Sequence, residues 1–196
     1  MVKRQSDLIN EMNDREVLFH LYLTQFIIII LASILGFFLF DNADVFLAIW
    51  RLNIKEILLF GGGSAIIVIA IDLTLMRILP KHMYDDGGIN EKVFKNRPIW
   101  HITLICLIVA FSEELLFRGV IQTQFGYLIA SSVFAVLHFR YLYKLALFIV
   151  VVSISFFIGW IYIITGNLFV TIFMHFVIDF VFALIIRVKH LRNRGD

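Results

Sequence analysis

Residues 17–40 read VLFHLYLTQFIIIILASILGFFLF, a run of 24 residues without Asp, Glu, Lys or Arg. About 20 apolar residues cross the hydrocarbon core of a bilayer as a helix, so this run predicts a membrane-spanning helix. It is longer than the apolar region of a signal peptide and lacks a cleavage site of small residues. The composition of the whole chain also indicates a membrane protein. The chain is 61% hydrophobic and only 16% charged, whereas a soluble domain is about half apolar and a quarter charged.

Five further apolar segments follow the first one. They cover residues 57–79, 98–125, 127–140, 145–164 and 168–186. The fourth segment is short and as a helix would cover only about two thirds of the membrane. The sequence therefore predicts an all-α polytopic membrane protein, a bundle of about six transmembrane helices.

Basic residues in the connecting segments predict the orientation of this bundle. Fourteen of the 17 Lys and Arg lie before residue 17, at 77–97, at 140–144 and after residue 186, which the six helices put on one side. Since basic loops are retained in the cytoplasm, both termini are expected there. The basic C-terminal segment suits anionic lipid headgroups, and nothing in the chain indicates nucleic-acid binding. The single cysteine, Cys106, excludes an intramolecular disulfide and a Cys-rich metal site.

Ionisable residues inside the apolar segments indicate a functional site, because burying a charge in lipid is costly. In the third segment, Glu114 and Arg118 are four residues apart on one helix face, in the favourable order for an ion pair. Glu113 points about 100° away from Glu114. One carboxylate can therefore be held by Arg118 while the other stays available as a general base. An ordinary Glu–Arg pair is the alternative.

Three more polar residues lie in the fourth and sixth segments. His138 follows Phe134 at a spacing of four, and His175 precedes Asp179 at the same spacing, close enough for a hydrogen bond. If the third and fourth helices turn at residues 125–126, Glu113 and His138 lie at equal depth, and His175 can reach them. Glu113, His138 and His175 are thus expected to meet. An interfacial His138 and a His175–Asp179 pair that joins helices remain open alternatives.

The order of these motifs resembles that of the CPBP group of intramembrane proteases. The motifs are Glu-Glu-x-x-x-Arg (113–118), Phe-x-x-x-His (134–138) and His-x-x-x-Asp (175–179). This group includes the type II CAAX prenyl endopeptidases and bacterial bacteriocin-processing and abortive-infection-like proteins. The resemblance implies a catalytic core at 98–187, after an N-terminal tail (1–16) and two helices (17–97), and before a basic tail (188–196).

The resemblance also implies roles for the six motif residues. Glu113 and His138 would activate water, and Glu114 and Arg118 would be a supporting pair. His175 and Asp179 would polarise the scissile carbonyl and stabilise its oxyanion. Related sequences often carry Asn in place of Asp179, and an ionised carboxylate repels an oxyanion. Asp179 would then be protonated, orient His175 or contact a metal.

Metal dependence and physiological role stay open at this level. Glu113, His138 and His175 form a ligand set that zinc accepts, but a water activated by Glu and His alone would use the same residues. The expected substrate is a hydrophobic peptide or membrane protein in a bacterial cell membrane, in bacteriocin or pheromone processing or self-immunity. The alternative is a non-proteolytic immunity or scaffold protein that binds a membrane partner. A transporter is disfavoured because internal repeats are not evident.

Two features of the second segment lie outside these motifs. Asp72 either faces a cavity or pairs with Arg77, and a structural role is favoured. Glycines 61–63 lack the Gly-Lys-Ser/Thr ending of a phosphate loop, so they predict close packing between helices.

Overall fold

The computed structural model describes residues 11–138 and 144–195, and its regular elements within these ranges are all helices. We number them in chain order: α1 (Asp14–Leu39), α2 (Ala43–Ala48), α3 (Ile54–Ile78), α4 (Lys81–Tyr84), α5 (Ile89–Phe94), α6 (99–125), α7 (Tyr127–Leu137), α8 (Leu145–Thr165) and α9 (Leu168–Gly195). Both α3 and α6 contain a π-helical stretch, at Ile57–Gly62 and Leu115–Gln122 respectively.

The predicted fold class is confirmed. Helices α1, α3, α8 and α9 are each long and apolar enough to cross a membrane, and α6 corresponds to the third predicted segment. The fourth predicted segment appears as α7, and its expected end at Arg140 lies outside the described residues. The short helices α2, α4 and α5 were not predicted, because they lie in connections that carry no long apolar run.

The basic C-terminal segment is helical. Residues 188–196 were expected as a basic tail, and α9 continues through this segment without interruption to Gly195. No proline or glycine interrupts the chain between Leu168 and Arg194. Arg192 and Arg194 lie in the last turn, where cations interact favourably with the partial negative charge of a helix C-terminus.

Hydrogen bonds between connecting segments define the two ends of the bundle. At one end, Arg97 donates to the carbonyl of Asp14 (3.1 Å) and Lys144 donates to that of His82 (3.0 Å). At the other end, Asn167 donates to the carbonyl of Arg51 and to Glu56 (2.8 and 2.9 Å). The basic segments around residues 97 and 144 thus lie at the same end, as the charge pattern predicted.

Glycine 61 lets α3 and α9 approach closely. A Cβ atom at this position would lie 2.8 Å from the backbone oxygen of Val170 and 3.3 Å from the ring of Phe173. Gly63 has no such neighbour within 4 Å. The packing role predicted for these glycines is therefore found at Gly61, and it fixes α9, which carries two of the candidate site residues, against α3.

We expect Gly61→Ala to lower the free energy of unfolding by about 1–3 kcal/mol, because the added methyl group overlaps backbone that cannot move aside easily. Gly63→Ala is the matched control and should be neutral or stabilising by up to about 1 kcal/mol. Thermal unfolding of both variants in the same detergent measures the difference. Equal unfolding temperatures for the two variants would contradict the close packing at Gly61.

Candidate active site

The Glu-Glu-x-x-x-Arg motif lies at the centre of the bundle, where the α-helical part of α6 passes into its π-helical stretch. Glu114 and Arg118 are both fully buried, and Arg118 Nε lies 3.5 Å from Glu114 Oε2. The two charges therefore form the ion pair that the spacing predicted. Most of the π-helical stretch around Arg118 is buried as well, and π-helical turns inside α-helices occur frequently at functional sites.

Arg118 is held by two further helices. Its Nη2 donates to the backbone oxygen of Ser155 in α8 (3.0 Å), and its guanidinium carbon lies 5.0 Å from the ring centre of Phe134 in α7. Ser155 in turn donates from its hydroxyl to the carbonyl of Ser131 in α7 (3.2 Å). A buried guanidinium thus has a carboxylate, a carbonyl and an aromatic face around it, the groups that offset its loss of hydration.

His175 in α9 contacts two carboxylates. Its Nδ1 is 2.9 Å from Glu114 Oε1, within hydrogen-bond distance, and its Nε2 is 3.5 Å from Asp179 Oδ2. An imidazole protonated at both nitrogens can donate in both directions. Because 3.5 Å is longer than an N–H···O hydrogen bond, the contact at Nε2 is looser than that at Nδ1. Glu114 therefore fixes the ring, while Nε2 keeps the capacity to bind another group.

Glu113 has a different environment from its neighbour. It is half-buried and makes no hydrogen bond or ion pair with any residue in 11–138 or 144–195. His138 lies just past the end of α7, where its Nδ1 is 2.9 Å from the carbonyl of Phe134 and its ring stacks on the Phe134 ring (4.3 Å between centres). Phe134 therefore contacts both Arg118 and His138, which links two of the three motifs.

The three side chains expected to meet, those of Glu113, His138 and His175, make no direct hydrogen bond or ion pair with one another in the described residues. His175 binds Glu114 rather than Glu113, and no group of three His, Cys, Asp or Glu side chains in the described chain has the arrangement of a metal site. Both nitrogens of His175 already face carboxylates. The ligand set of Glu113, His138 and His175 therefore does not fit zinc as these residues are arranged, and we derive no catalytic step through a metal.

Several residues around the site were not identified from the sequence. Ser155 lies in an apolar helix without a motif, so no local signal distinguished it from an ordinary small packing residue. Gln25 is buried in α1, and its Oε1 accepts a hydrogen bond from Ser112, the residue before Glu113 (2.5 Å). A polar side chain in the middle of a long apolar run was the available signal, because such groups join membrane helices.

Glu114→Gln should destabilise the protein by about 3–5 kcal/mol, because it leaves the Arg118 charge buried without its counter-ion. Glu113→Gln should change the free energy of unfolding by less than about 0.5 kcal/mol, since Glu113 has no partner among the residues that the structure describes. The two variants make the same chemical change at adjacent positions, so thermal unfolding in detergent compares them directly. A larger loss for Glu113→Gln would reverse our assignment of the paired carboxylate.

Comparisons with known proteins identify the family of the chain. Residues 95–181 match the family model described as type II CAAX prenyl endopeptidase Rce1-like, and this match contains all six motif residues. The chain is 49% identical over 171 residues to the uncharacterized protein YpbD of Bacillus subtilis (strain 168), an alignment that covers 87% of this chain and 90% of that protein. No solved structure matches. The chain belongs to the Rce1-like family of type II CAAX prenyl endopeptidases, within the CPBP group.

Proposed function

We propose that this protein is an intramembrane endopeptidase that hydrolyses a peptide bond in a small hydrophobic or membrane-associated peptide. The observation that carries the proposal is the contrast between adjacent carboxylates. Glu114 is fully buried and paired, whereas Glu113 is half-buried and has no partner within residues 11–138 and 144–195. An unpaired carboxylate in a membrane helix has no structural benefit to offset its cost. The peptidase family to which the chain belongs favours a catalytic role for Glu113.

Glu113 acts as the general base in this proposal. It takes a proton from a water molecule while the water oxygen bonds to the scissile carbonyl carbon, which gives a tetrahedral oxyanion. When the C–N bond breaks, the proton passes from Glu113 to the leaving amine. His138 would contribute to positioning this water. Its contacts with the Phe134 ring and carbonyl hold the imidazole in one orientation.

His175 supplies the electrophilic side of the proposed site. Glu114 holds Nδ1 and leaves Nε2–H to bind the carbonyl oxygen as negative charge develops on it. The loose contact between Nε2 and Asp179 supports an orienting role for Asp179, because a substrate oxygen can replace that contact without breaking a strong hydrogen bond. Asp179 itself then need not donate to the oxyanion.

The cellular role that we propose is processing of a bacteriocin or peptide pheromone, or self-immunity, in a bacterial cell membrane with both termini in the cytoplasm. The basic connecting segments lie at one end of the bundle, and such segments are retained in the cytoplasm, which supports the proposed position of the termini. The 49% identity to a Bacillus subtilis protein supports a bacterial host.

We expect Glu113→Gln to reduce peptide hydrolysis by about 10²–10⁴-fold, the usual contribution of a general base. Wild type and variant are expressed in the native host, and small secreted and membrane peptides are compared by mass spectrometry. Asp41→Asn, at an exposed acid in the connection after α1, is the control and should behave as wild type.

A peptide that changes length with wild type and with Asp41→Asn, but not with Glu113→Gln, identifies the substrate. If Glu113→Gln keeps the full wild-type phenotype at equal abundance, hydrolysis is not the function. The protein would then act by binding a partner, as an immunity or scaffold protein does.

Orientation is tested separately by cysteine labelling of intact cells. Cys106 is buried, so it should not react with a membrane-impermeant maleimide. Asp41→Cys should be labelled from outside, whereas Arg194→Cys should be labelled only after the cells are opened. Labelling of Arg194→Cys in intact cells would place the C-terminus outside and reverse the proposed topology.

A further inference from the structure

A second polar feature, separate from the motif residues, lies between α3, α8 and α9. A cavity of about 740 Å³ opens at the end of the bundle that carries the basic segments, beneath the connection between α3 and α6. This volume is within the range of small-molecule and peptide sites. Its lining combines apolar residues, such as Leu75, Val150 and Phe182, with polar residues that come mainly from the connection between α3 and α6.

The lining of the cavity carries an excess of negative charge. Four carboxylates line the cavity, Asp72, Asp85, Asp86 and Glu91, against two lysines, Lys81 and Lys189. Two of the acids are fixed in place by backbone amides: Asp85 accepts from Gly87, and Asp86 accepts from Gly88 and Asn90 (2.9–3.0 Å). These carboxylates therefore have defined positions around the opening.

Asp72 is the exception among these acids. It lies inside the spanning helix α3, about 9 Å from its end at Ile78, and makes no hydrogen bond or ion pair with any residue that the structure describes. The pairing with Arg77 considered from the sequence is absent. An ionisable residue in a membrane helix usually has a partner, and none of the steps proposed for Glu113, His138 or His175 uses Asp72. Its carboxylate faces the cavity instead.

The cavity and the candidate active site lie along the same helix, α9. Phe182, Ile186 and Asn193 line it from α9, at the spacing of one helix face. Asp179 lies on that face three residues before Phe182, about 4.5 Å deeper along the helix axis. A chain that lies in the cavity along α9 would therefore reach the Asp179 side of His175.

We propose that this cavity is a subsite for the basic flank of a hydrophobic peptide substrate, with Asp72 as the residue that binds its positive charge. The apolar residues of the lining suit apolar side chains, and the excess of carboxylates suits Lys or Arg beside them. A bound metal ion is a poorer explanation, since no three carboxylate or histidine side chains in the described residues are arranged as ligands. The subsite rests on the proposed function, because the bound peptide is a substrate only if the protein is an endopeptidase.

Binding without turnover tests the subsite. Full-length Glu113→Gln protein is placed in nanodiscs of zwitterionic phosphatidylcholine, and fluorescence anisotropy follows a labelled leucine–alanine peptide with a lysine tag at one end. The same peptide with a glutamate tag is the probe control. We expect the lysine-tagged peptide to bind more tightly, and Asp72→Asn to weaken its binding about tenfold, the order expected for loss of a charged hydrogen bond.

Two variants distinguish the cavity from a general charge effect. Asp41→Asn removes the same charge on the connection between α1 and α2, away from the cavity, and should leave binding unchanged. Ala146→Phe places a ring in the cavity, which Ala146 lines, and should weaken binding of the lysine-tagged peptide. Equal binding of both peptides, or equal losses for Asp72→Asn and Asp41→Asn, would overturn the proposal, as would unchanged binding to Asp72→Asn at equal folded fraction.

Failure of the subsite and failure of the proposed function give different results. If no peptide is hydrolysed by wild type but the lysine-tagged peptide still binds in an Asp72-dependent way, the cavity is a peptide site and the endopeptidase proposal is wrong. If hydrolysis depends on Glu113 but Asp72→Asn leaves binding of the lysine-tagged peptide unchanged, only the subsite proposal is wrong.

Discussion

The ion pair between Glu114 and Arg118 is the constraint around which this bundle is organised. Both charges are fully buried in a protein whose surroundings are apolar, where an unpaired charge is costly. The surrounding helices supply what water would otherwise supply: a carbonyl from α8, an aromatic face from α7 and an imidazole from α9. The contacts of these two charges therefore connect the four helices that form the candidate site.

This arrangement gives the two adjacent carboxylates different environments. The Glu114 carboxylate contacts both Arg118 and His175, so it is held in one place and is poorly available as a base. Glu113, one residue earlier, points elsewhere on α6 and has no described partner. Buried ion pairs contribute little net stability but are destabilising when broken. The pair therefore acts mainly by holding Glu114 in place, and Glu114 in turn fixes the orientation of His175.

Helix α9 connects the candidate site with the cavity at the basic end of the bundle. Its inner part carries His175 and Asp179, and its outer part lines the cavity through Phe182 and Ile186. Gly61 allows α3 to pack directly on the start of this helix, and Asp72 enters the cavity from α3 further along. The same contact between α3 and α9 thus sets the geometry of both regions.

The sequence by itself determined the fold class, the six apolar segments, the grouping of basic segments around residues 97 and 144, and the pairing of Glu114 with Arg118. Each follows from the length of an apolar run, the charge of a connection or a spacing within one helix, all of which are local. Only the tertiary structure decided that His175 meets Glu114 rather than Glu113, and that Asp72 faces a cavity. The rotation of a helix about its own axis is set by the residues packed against it, and those come from distant parts of the chain.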